Sequence, residues 1–295
     1  MSGILYAFIT VLAWGTWLAP SQNVPFKNQQ IKTFYVAAAN LVLAFFVALG
    51  QGLDQLNSSI FWPPFLGGLI WSVSAFCAFT GTSKIGMAKA FGIWAPLNII
   101  VSIIWGAVIF NEFLNTGTLN LVLLLVSLAI IISGVLMIIF ARGGGEKSRD
   151  QKTMLVGIAG AVGAGILWGT YFIPIKLSAA SMWVAAFPMA IGIFTGSTLL
   201  ALIGRQSITL EKNTDYLRVC LTGVLWAIGD YGMLLLVGSL GAGKGFTISQ
   251  LSVVVNALIG IYLLKDPRPR TRAAALTLFG CILATFGAII LGNLK

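Results

Sequence analysis

Residues 14–20 read Trp-Gly-Thr-Trp-Leu-Ala-Pro and residues 168–174 read Trp-Gly-Thr-Tyr-Phe-Ile-Pro, so one motif occurs twice, 154 residues apart. Further matches keep the same order along the chain. They pair Gly3 with Gly157, residues 35–38 with 183–186, Gly68 and Trp71 with Gly223 and Trp226, residues 85–91 with 240–246, Thr118 with Thr271, and Gly134 with Gly287. Chance could supply one such match but not a colinear set, so the sequence is one unit written twice.

The composition is that of a membrane protein. Of 295 residues, 58% are hydrophobic and only 9% are charged, whereas a soluble globular chain carries roughly 25% charged residues. So few charges cannot coat a soluble particle, which excludes a cytosolic enzyme, a secreted module and a disordered chain. Most of the surface is expected to contact the lipid bilayer.

Ten apolar runs approach the length of about 20 residues that a helix needs to cross the hydrocarbon core. They cover residues 3–20, 33–50, 60–81, 90–110, 117–140, 154–175, 181–203, 217–239, 246–264 and 273–292. The runs are continuous rather than alternating, which favours helices over a transmembrane barrel. The sequence predicts an all-α integral membrane protein of ten transmembrane helices, with five-helix repeats at 1–140 and 154–295 and a cytoplasmic linker at 141–153.

An odd number of spans in the repeated unit has a topological consequence. A second five-span copy must enter the membrane from the opposite face, so the repeats are expected to be inverted about an axis in the membrane plane. Inverted repeats are typical of secondary transporters, whose halves exchange two conformations and open one cavity to alternate sides. The repeat therefore predicts a carrier that works by alternating access.

The basic residues predict the orientation of the chain. If the N-terminus lies outside, only Lys176, Lys244 and Lys295 of the 18 lysines and arginines fall on the outer side, which leaves 15 inside. Short inner loops rich in positive charge are the normal arrangement. We therefore expect a multi-pass protein of the cell membrane with both termini outside.

Several other functions lack the residues that they need. The formal charge is +10, but no patch rich in lysine and arginine exists, so nucleic acid is not an expected partner. The chain has no histidine, and Cys77, Cys220 and Cys281 lack metal-ligand spacing. Neither a nucleophile with its base nor a phosphate-binding loop is present, so no enzyme activity, metal or cofactor is expected. A channel would more usually be an oligomer around charged or carbonyl rings.

The motifs resemble those of the drug/metabolite transporter superfamily in its ten-helix, two-repeat form. The resemblance rests on the Trp-Gly-Thr steps with their prolines, on segment 85–91, and on residues 105–107 with the following Glu112. The chain is most similar to the glucose/ribose uptake and rhamnose–proton symporter branches, with amino-acid and metabolite exporters next. The resemblance implies a bacterial inner-membrane carrier with a central cavity and no need of nucleotide. The second repeat departs from the first at one position, where Asp266, followed by Pro267, stands in place of Glu112.

Asp230 is the one acidic residue that falls halfway along a predicted span. A charged carboxylate there costs roughly 2.5–3.5 kcal/mol on insertion scales, so the side chain should face the interior of the bundle. Its repeat partner is Ala75, so the acid breaks the symmetry. Asp230 is either a neutral, hydrogen-bonded buried acid or, as we favour, a site that binds a proton or the substrate.

Lys89 and Lys244 hold equivalent positions at the openings of spans 4 and 9. Beside a cavity they could neutralise an anionic substrate or pair with Asp230. Alternatively they extend to the lipid headgroups, as lysines near span ends do.

Uncharged polar residues inside the spans are candidates for substrate binding. The set comprises Asn40, Asn98, Gln250 and Asn256, with Thr16 and Thr170 beside them. An amide offers a donor and an acceptor to a sugar hydroxyl. The alternative is that these groups join helices to one another.

The tryptophans are too numerous to form only a headgroup belt. Trp14 with Trp168 and Trp71 with Trp226 are repeat-equivalent, and such rings could stack on the apolar face of a sugar; Tyr231, which follows Asp230, joins this candidate set. Packing is the alternative role for any single ring.

Two transport functions remain open at this stage. One is sugar uptake of the glucose type coupled to protons, with Asp230 binding the proton and amides and tryptophans holding the sugar. The other is export of amino acids, drug-like cations or other metabolites by the same fold. A lysine beside the cavity would disfavour cations, so we expect a sugar. Self-association into a homodimer is left open.

Overall fold

The computed structural model describes residues 2–51, 56–110, 117–141, 150–178, 181–205, 207–240, 245 and 248–293, and within these ranges the chain is helical without strands. The helices are α1 (Ser2–Thr16), α2 (Gln29–Gln51), α3 (Ser58–Ile85), α4 (Met87–Phe110), α5 (Thr118–Ile139), α6 (Gln151–Trp168), α7 (Phe172–Leu177), α8 (Met182–Ile203), α9 (Asn213–Leu240), α10 (Leu251–Leu258) and α11 (Arg272–Gly292). A 3-10 turn spans Ala19–Ser21, and a π-helical turn spans Ile259–Leu263. The all-α prediction is confirmed for this part of the chain.

Nine of the ten predicted runs correspond, within the described ranges, to helical segments long and apolar enough to cross a membrane. The ninth run differs from the prediction, because its described apolar helix covers only Leu251–Leu263. Residues 246 and 247, with which that run was expected to begin, lie outside the described ranges. Leu119 and Leu125 on α5 are 72% and 58% exposed, as expected of side chains that face lipid.

The Trp-Gly-Thr step interrupts a helix in both halves of the chain. α1 ends at Thr16 and is followed by the turn that contains Pro20, and α6 ends at Trp168 before α7, which contains Pro174. Proline favours a fresh helical start over the interior of a continuing helix, since it lacks the backbone N–H. The predicted spans 1 and 6 are therefore broken near the same motif.

Contacts between the two halves are reciprocal. In the first half α3 packs on α6 and α8, and in the second half α9 packs on α1 and α2; α5 packs on α11, and α4 on α10. A Cβ at Gly15 would lie 2.5 Å from Val255 Cγ1, and one at Gly169 would lie 2.6 Å from Val101 Cβ. The two glycines and the two valines are each 154 residues apart, so both halves use glycine to let one helix approach the other half closely.

Side-chain hydrogen bonds to backbone carbonyls link chain segments at one end of the bundle. This is the end where α3 finishes and α4 and α9 begin. The bonds run from Gln22 Nε2 to Thr82 O (2.9 Å), from Arg218 Nε to Pro20 O (2.8 Å) and from Lys89 Nζ to Ala141 O (2.7 Å). Each bond joins two segments that are separated in the chain.

Candidate functional site

A cavity of about 370 Å³ lies in the middle of the bundle. Trp71 and Trp226, on its wall, stand at the midpoints of the 28-residue helices α3 and α9. The lining comprises Trp14, Trp17, Trp71, Phe91, Trp94, Ala95, Asn98, Ser102, Trp168, Tyr171, Phe172, Trp226, Asp230, Ser249, Gln250, Ser252 and Val253. We call this space the larger cavity; its volume is within the usual range for small-molecule sites.

Tryptophan rings form a continuous aromatic cluster along this cavity. The Trp168 ring centroid lies 5.4 Å from that of Trp94, 5.9 Å from that of Trp71 and 6.3 Å from that of Trp17. Trp226 extends the cluster, because its centroid lies 4.4 Å from that of Trp71. The predicted pairs Trp14 with Trp168 and Trp71 with Trp226 therefore all line one space, although their sequence positions span more than 200 residues.

Polar groups reach the larger cavity from the paired helices α4 and α10. Asn98 and Ser102 lie one turn apart on α4, and Ser102 Oγ donates to Asn98 Oδ1 over 3.3 Å. The segment that opens α10 contributes Ser249, Gln250 and Ser252. The cavity thus combines aromatic faces with amides and hydroxyls that can donate and accept hydrogen bonds.

Asp230 supplies the only carboxyl group among the described residues that line this cavity. It lies beside the indole N–H of Trp14, although the two do not reach hydrogen-bond geometry. Gly229 makes this placement possible, because a Cβ there would collide with the Trp14 ring. The described lining of this cavity contains no lysine or arginine.

Two buried indole N–H groups beside the cavity lack a hydrogen-bond partner among the described residues. They belong to Trp14 and Trp168, the repeat-equivalent residues of the duplicated motif. A buried donor without a partner costs about 1–3 kcal/mol. This cost disappears if a ligand or an ordered water accepts a hydrogen bond from the indole N–H group, for example in another conformation of the bundle.

A smaller cavity of about 110 Å³ lies on the other side of Asp230. It contains the predicted residues Asn40 and Tyr231, and it shares Trp14, Tyr171, Trp226 and Asp230 with the larger cavity. Tyr231 also stacks on Trp183, with ring centroids 5.8 Å apart. The predicted binding residues are therefore divided between two spaces that meet at Asp230.

Two predicted binding residues, Asn256 and Lys89, line neither cavity. Asn256 is fully buried on α10, where its Nδ2 donates to Gly15 O over 3.2 Å and so joins α10 to α1. Lys89 lies near the start of α4, where its Nζ donates to Ala141 O. Lys244 lies outside the described residues.

The hydroxyl groups of the two candidate threonines donate hydrogen bonds to backbone carbonyls of their own helices. Thr16 Oγ1 donates to Leu12 O over 2.7 Å, and Thr170 Oγ1 donates to Ile166 O over 2.8 Å. Thr170 Oγ1 also accepts from Trp105 Nε1 over 3.0 Å, which ties α4 to the break between α6 and α7.

Sequence reasoning did not select several residues that line the larger cavity. The repeat itself contained a signal for two of them, since Trp17 and Tyr171 are 154 residues apart and both line it. The repeat also pointed to Ser252, which is 154 residues from Asn98. The carbonyl of Ser252 approaches Gly15, and the carbonyl of Asn98 approaches Gly169 in the matching contact. The other polar and aromatic lining residues that the sequence did not indicate are Phe91, Trp94, Ser102, Ser249 and Phe172.

Comparison with known proteins gives a consistent result. The profile of the family described as "sugar transport protein" matches residues 5–294. The glucose uptake protein GlcU of Bacillus subtilis is 23% identical over 295 residues, which cover 99% of this chain and 98% of GlcU. A protein of Enterococcus faecalis named for sugar uptake is 25% identical over 296 residues, which cover 99% of each chain. The family and these relatives are transport and uptake proteins, not enzymes.

The fold has also been seen in a crystal structure. That protein is 18% identical, and the match covers 98% of this chain and 96% of the other with a TM-score of 0.62. At this identity the match supports the architecture alone.

Proposed function

The chain is a multi-pass membrane protein that belongs to the sugar transport protein family, and we propose that it takes up a small sugar of the glucose type, coupled to protons. The observation that carries the proposal is the larger cavity, which holds a tryptophan cluster, amides, hydroxyls and one carboxyl group at mid-depth of the bundle. The glucose uptake protein GlcU, similar over its whole length, supports the choice of sugar.

The chemistry of the lining suits a sugar better than a charged metabolite. A monosaccharide presents C–H faces, which pack on aromatic rings, and hydroxyl edges, which need donors and acceptors. Trp94 and Trp168 offer the rings, and Asn98, Gln250 and Ser252 offer the hydrogen-bonding groups. A permanently charged substrate would face only the carboxyl group of Asp230, and an anion would meet no lysine or arginine in the described lining.

Asp230 is the group to which we assign the coupling proton. An ionisable residue inside a transmembrane bundle is expensive and is a functional candidate by default. When Asp230 is protonated it carries no charge, so the carrier loaded with sugar can reorient at low cost. After the sugar and the proton are released on the inner side, the empty carrier returns with Asp230 ionised, so that one proton enters with each sugar. Its position in the walls of both cavities supports this role.

Reorientation would exchange the conformations of two inverted repeats. The reciprocal packing of α3 and α9 on the opposite half, and the matching contacts of Gly15 and Gly169, support this arrangement. The hydrogen bonds of Gln22, Arg218 and Lys89 close the end that the positive-inside count assigns to the cytoplasm. With both termini outside the inner membrane, this conformation would be the one closed to the cytoplasm.

The first test measures uptake of labelled glucose by cells stripped of their own hexose transporters, with and without a proton uncoupler. We expect accumulation that the uncoupler abolishes and that becomes faster as the outside becomes more acidic. Asp230→Asn should abolish accumulation but keep downhill exchange of glucose, since the variant mimics the protonated state. Asp150→Asn is the matched control, because Asp150 caps α6 at an exposed site and asparagine caps equally well.

Two results would contradict the proposal in different ways. No uptake above the empty-vector level would remove the glucose assignment, and efflux of amino acids and cationic drugs would be measured next. Intact accumulation in Asp230→Asn would leave sugar uptake standing and remove the coupling role of Asp230. Alkaline phosphatase fusions at each terminus test the orientation: activity at both is expected, and inactivity at both would invert the topology.

A further inference from the structure

The smaller cavity is built differently from the larger one. Its walls come from α1, α2, α7, α8 and α9, whereas α4 and α10 contribute only to the larger cavity. Apart from the four residues that the two spaces share, its polar side chains are Asn40 and Tyr231. Met182, Met189, Met233 and Leu234 are among its apolar side chains. The two spaces therefore meet at Asp230 but present it to different surroundings.

Asn40 gives this cavity a polar group that a small polar molecule could satisfy. The side chain is only 4% exposed and lines the cavity, yet its amide makes no hydrogen bond to any of the described residues. A buried amide without a partner costs about 1–3 kcal/mol, and a water molecule in a polar cavity is the usual remedy. The hydroxyl of Tyr231 offers a second partner to such a water.

The size of the smaller cavity decides what that molecule can be. At about 110 Å³ it lies well below the roughly 300 Å³ at which small-molecule sites begin. Liquid water occupies about 30 Å³ per molecule, so the space suits a short chain of three or four waters. A sugar would have to stay in the larger cavity.

From these observations we propose that the smaller cavity is a water-filled proton route to Asp230, separate from the space that holds the sugar. This inference rests on the proposed proton-coupled uptake. Waters between Asn40, Tyr231 and Asp230 would relay the proton to the carboxylate by successive O–H bond formation and breakage, with no net change except protonation of Asp230. The sugar could then occupy the larger cavity without blocking the proton.

Asp230 is the one strongly charged group among the described residues of this cavity. The titratable side chains that face Asp230 are Tyr171, from the break before α7, and Tyr231, from α9 itself. Neither α2 nor α8 contributes a titratable side chain to the described lining, and no lysine or arginine belongs to it. Asp230 is thus the only carboxyl group in the described lining of this cavity, and a proton that arrives through the cavity would bind there.

The test uses the purified full-length protein in liposomes that contain a pH-sensitive dye, with labelled glucose added outside. Asn40→Leu keeps the approximate shape of the side chain and removes its hydrogen bonds, and Tyr231→Phe removes one hydroxyl. We expect both to slow glucose-driven proton entry by about tenfold, which corresponds to about 1.4 kcal/mol on the barrier. Glucose affinity, measured by tryptophan fluorescence, should stay within about twofold.

The matched variant in the other cavity is Ser252→Ala, which should weaken glucose affinity and leave the number of protons moved per glucose unchanged. Tyr231→Phe keeps the test decisive if Asn40→Leu does not fold. Normal proton entry in the folded variants, or a loss of glucose affinity as large as the loss of proton entry, would overturn the separate route. Glucose uptake by the unmutated protein without proton movement would instead overturn the coupling on which the inference rests.

Discussion

Trp71 and Trp226 hold equivalent positions in the two repeats, and their rings lie 4.4 Å apart, centroid to centroid, at the midpoints of α3 and α9. Trp71 is 1% exposed and Trp226 is 7% exposed. The contact joins one half of the chain to the other directly at the wall of the larger cavity. Two tryptophans from matching sequence motifs thus form part of the contact between the two halves of the chain.

The contact between Trp71 and Trp226 should give a measurable coupling energy in the free energy of unfolding. We expect Trp71→Leu and Trp226→Leu to destabilise the protein less in combination than the sum of the two single changes, by about 0.5–1.5 kcal/mol. The measurement is a double-mutant cycle of unfolding in detergent. Trp62, which is 55% exposed, provides the control pair with Trp71, and their effects should add. Strict additivity of Trp71 with Trp226 would contradict the role given to the contact.

Gly229→Ala adds only one methyl group, but we expect it to impair transport strongly. The added methyl group would collide with the Trp14 ring and push it away from Asp230, the proposed proton site. We expect proton-driven glucose accumulation to fall by about tenfold or more, as displacements of this kind near a reacting group do. Gly238→Ala on the same helix meets nothing within 4 Å and should transport normally. Equal activity of the two variants would be the contrary result.

Trp94→Leu should weaken sugar binding. Its ring lines the larger cavity and packs on Trp168, so its loss removes an aromatic surface worth about 0.5–1.5 kcal/mol, or about 3- to 10-fold in affinity. The affinity is measured by glucose titration in detergent and the KM by counterflow in liposomes. Trp62→Leu, at an exposed position, should change neither. An unchanged affinity in Trp94→Leu would show that the ring only packs.

Gly134→Ala should lower the thermal stability of the protein in detergent. A Cβ at Gly134 would lie 2.6 Å from Gly280 O on α11, so α5 and α11 would have to separate. Overpacking of this kind costs about 1–3 kcal/mol. Gly50→Ala on α2 meets nothing within 4 Å and should leave stability unchanged or raise it, because alanine favours a helix by about 0.5–1 kcal/mol. A lower stability in Gly50→Ala than in Gly134→Ala would refute the close-packing argument.

Much of the candidate site could be predicted from the sequence, because polar residues are rare inside membrane-spanning helices and the repeated motifs mark equivalent positions. Asp230 was selected as a carboxyl group in the middle of an apolar run, and it lines both cavities. Asn98 and Gln250 were selected at similar depth, and both line the larger cavity. Asn256 has the same character in sequence but is fully buried and bonds Gly15 O. Depth along a helix can be read from sequence, whereas the direction a side chain faces in a bundle cannot.

The sequence by itself determined that this is an all-α membrane protein, because lipid demands long apolar helices. Its duplicated motifs, which keep their order, predict two repeated units. Only the tertiary structure decided which residues meet. In helices that are apolar all round, periodicity does not distinguish a lipid-facing side from a buried side. The division of the polar residues between two cavities that meet at Asp230 depends on how α2, α4, α9 and α10 pack, and that packing is set by contacts between residues far apart in the chain.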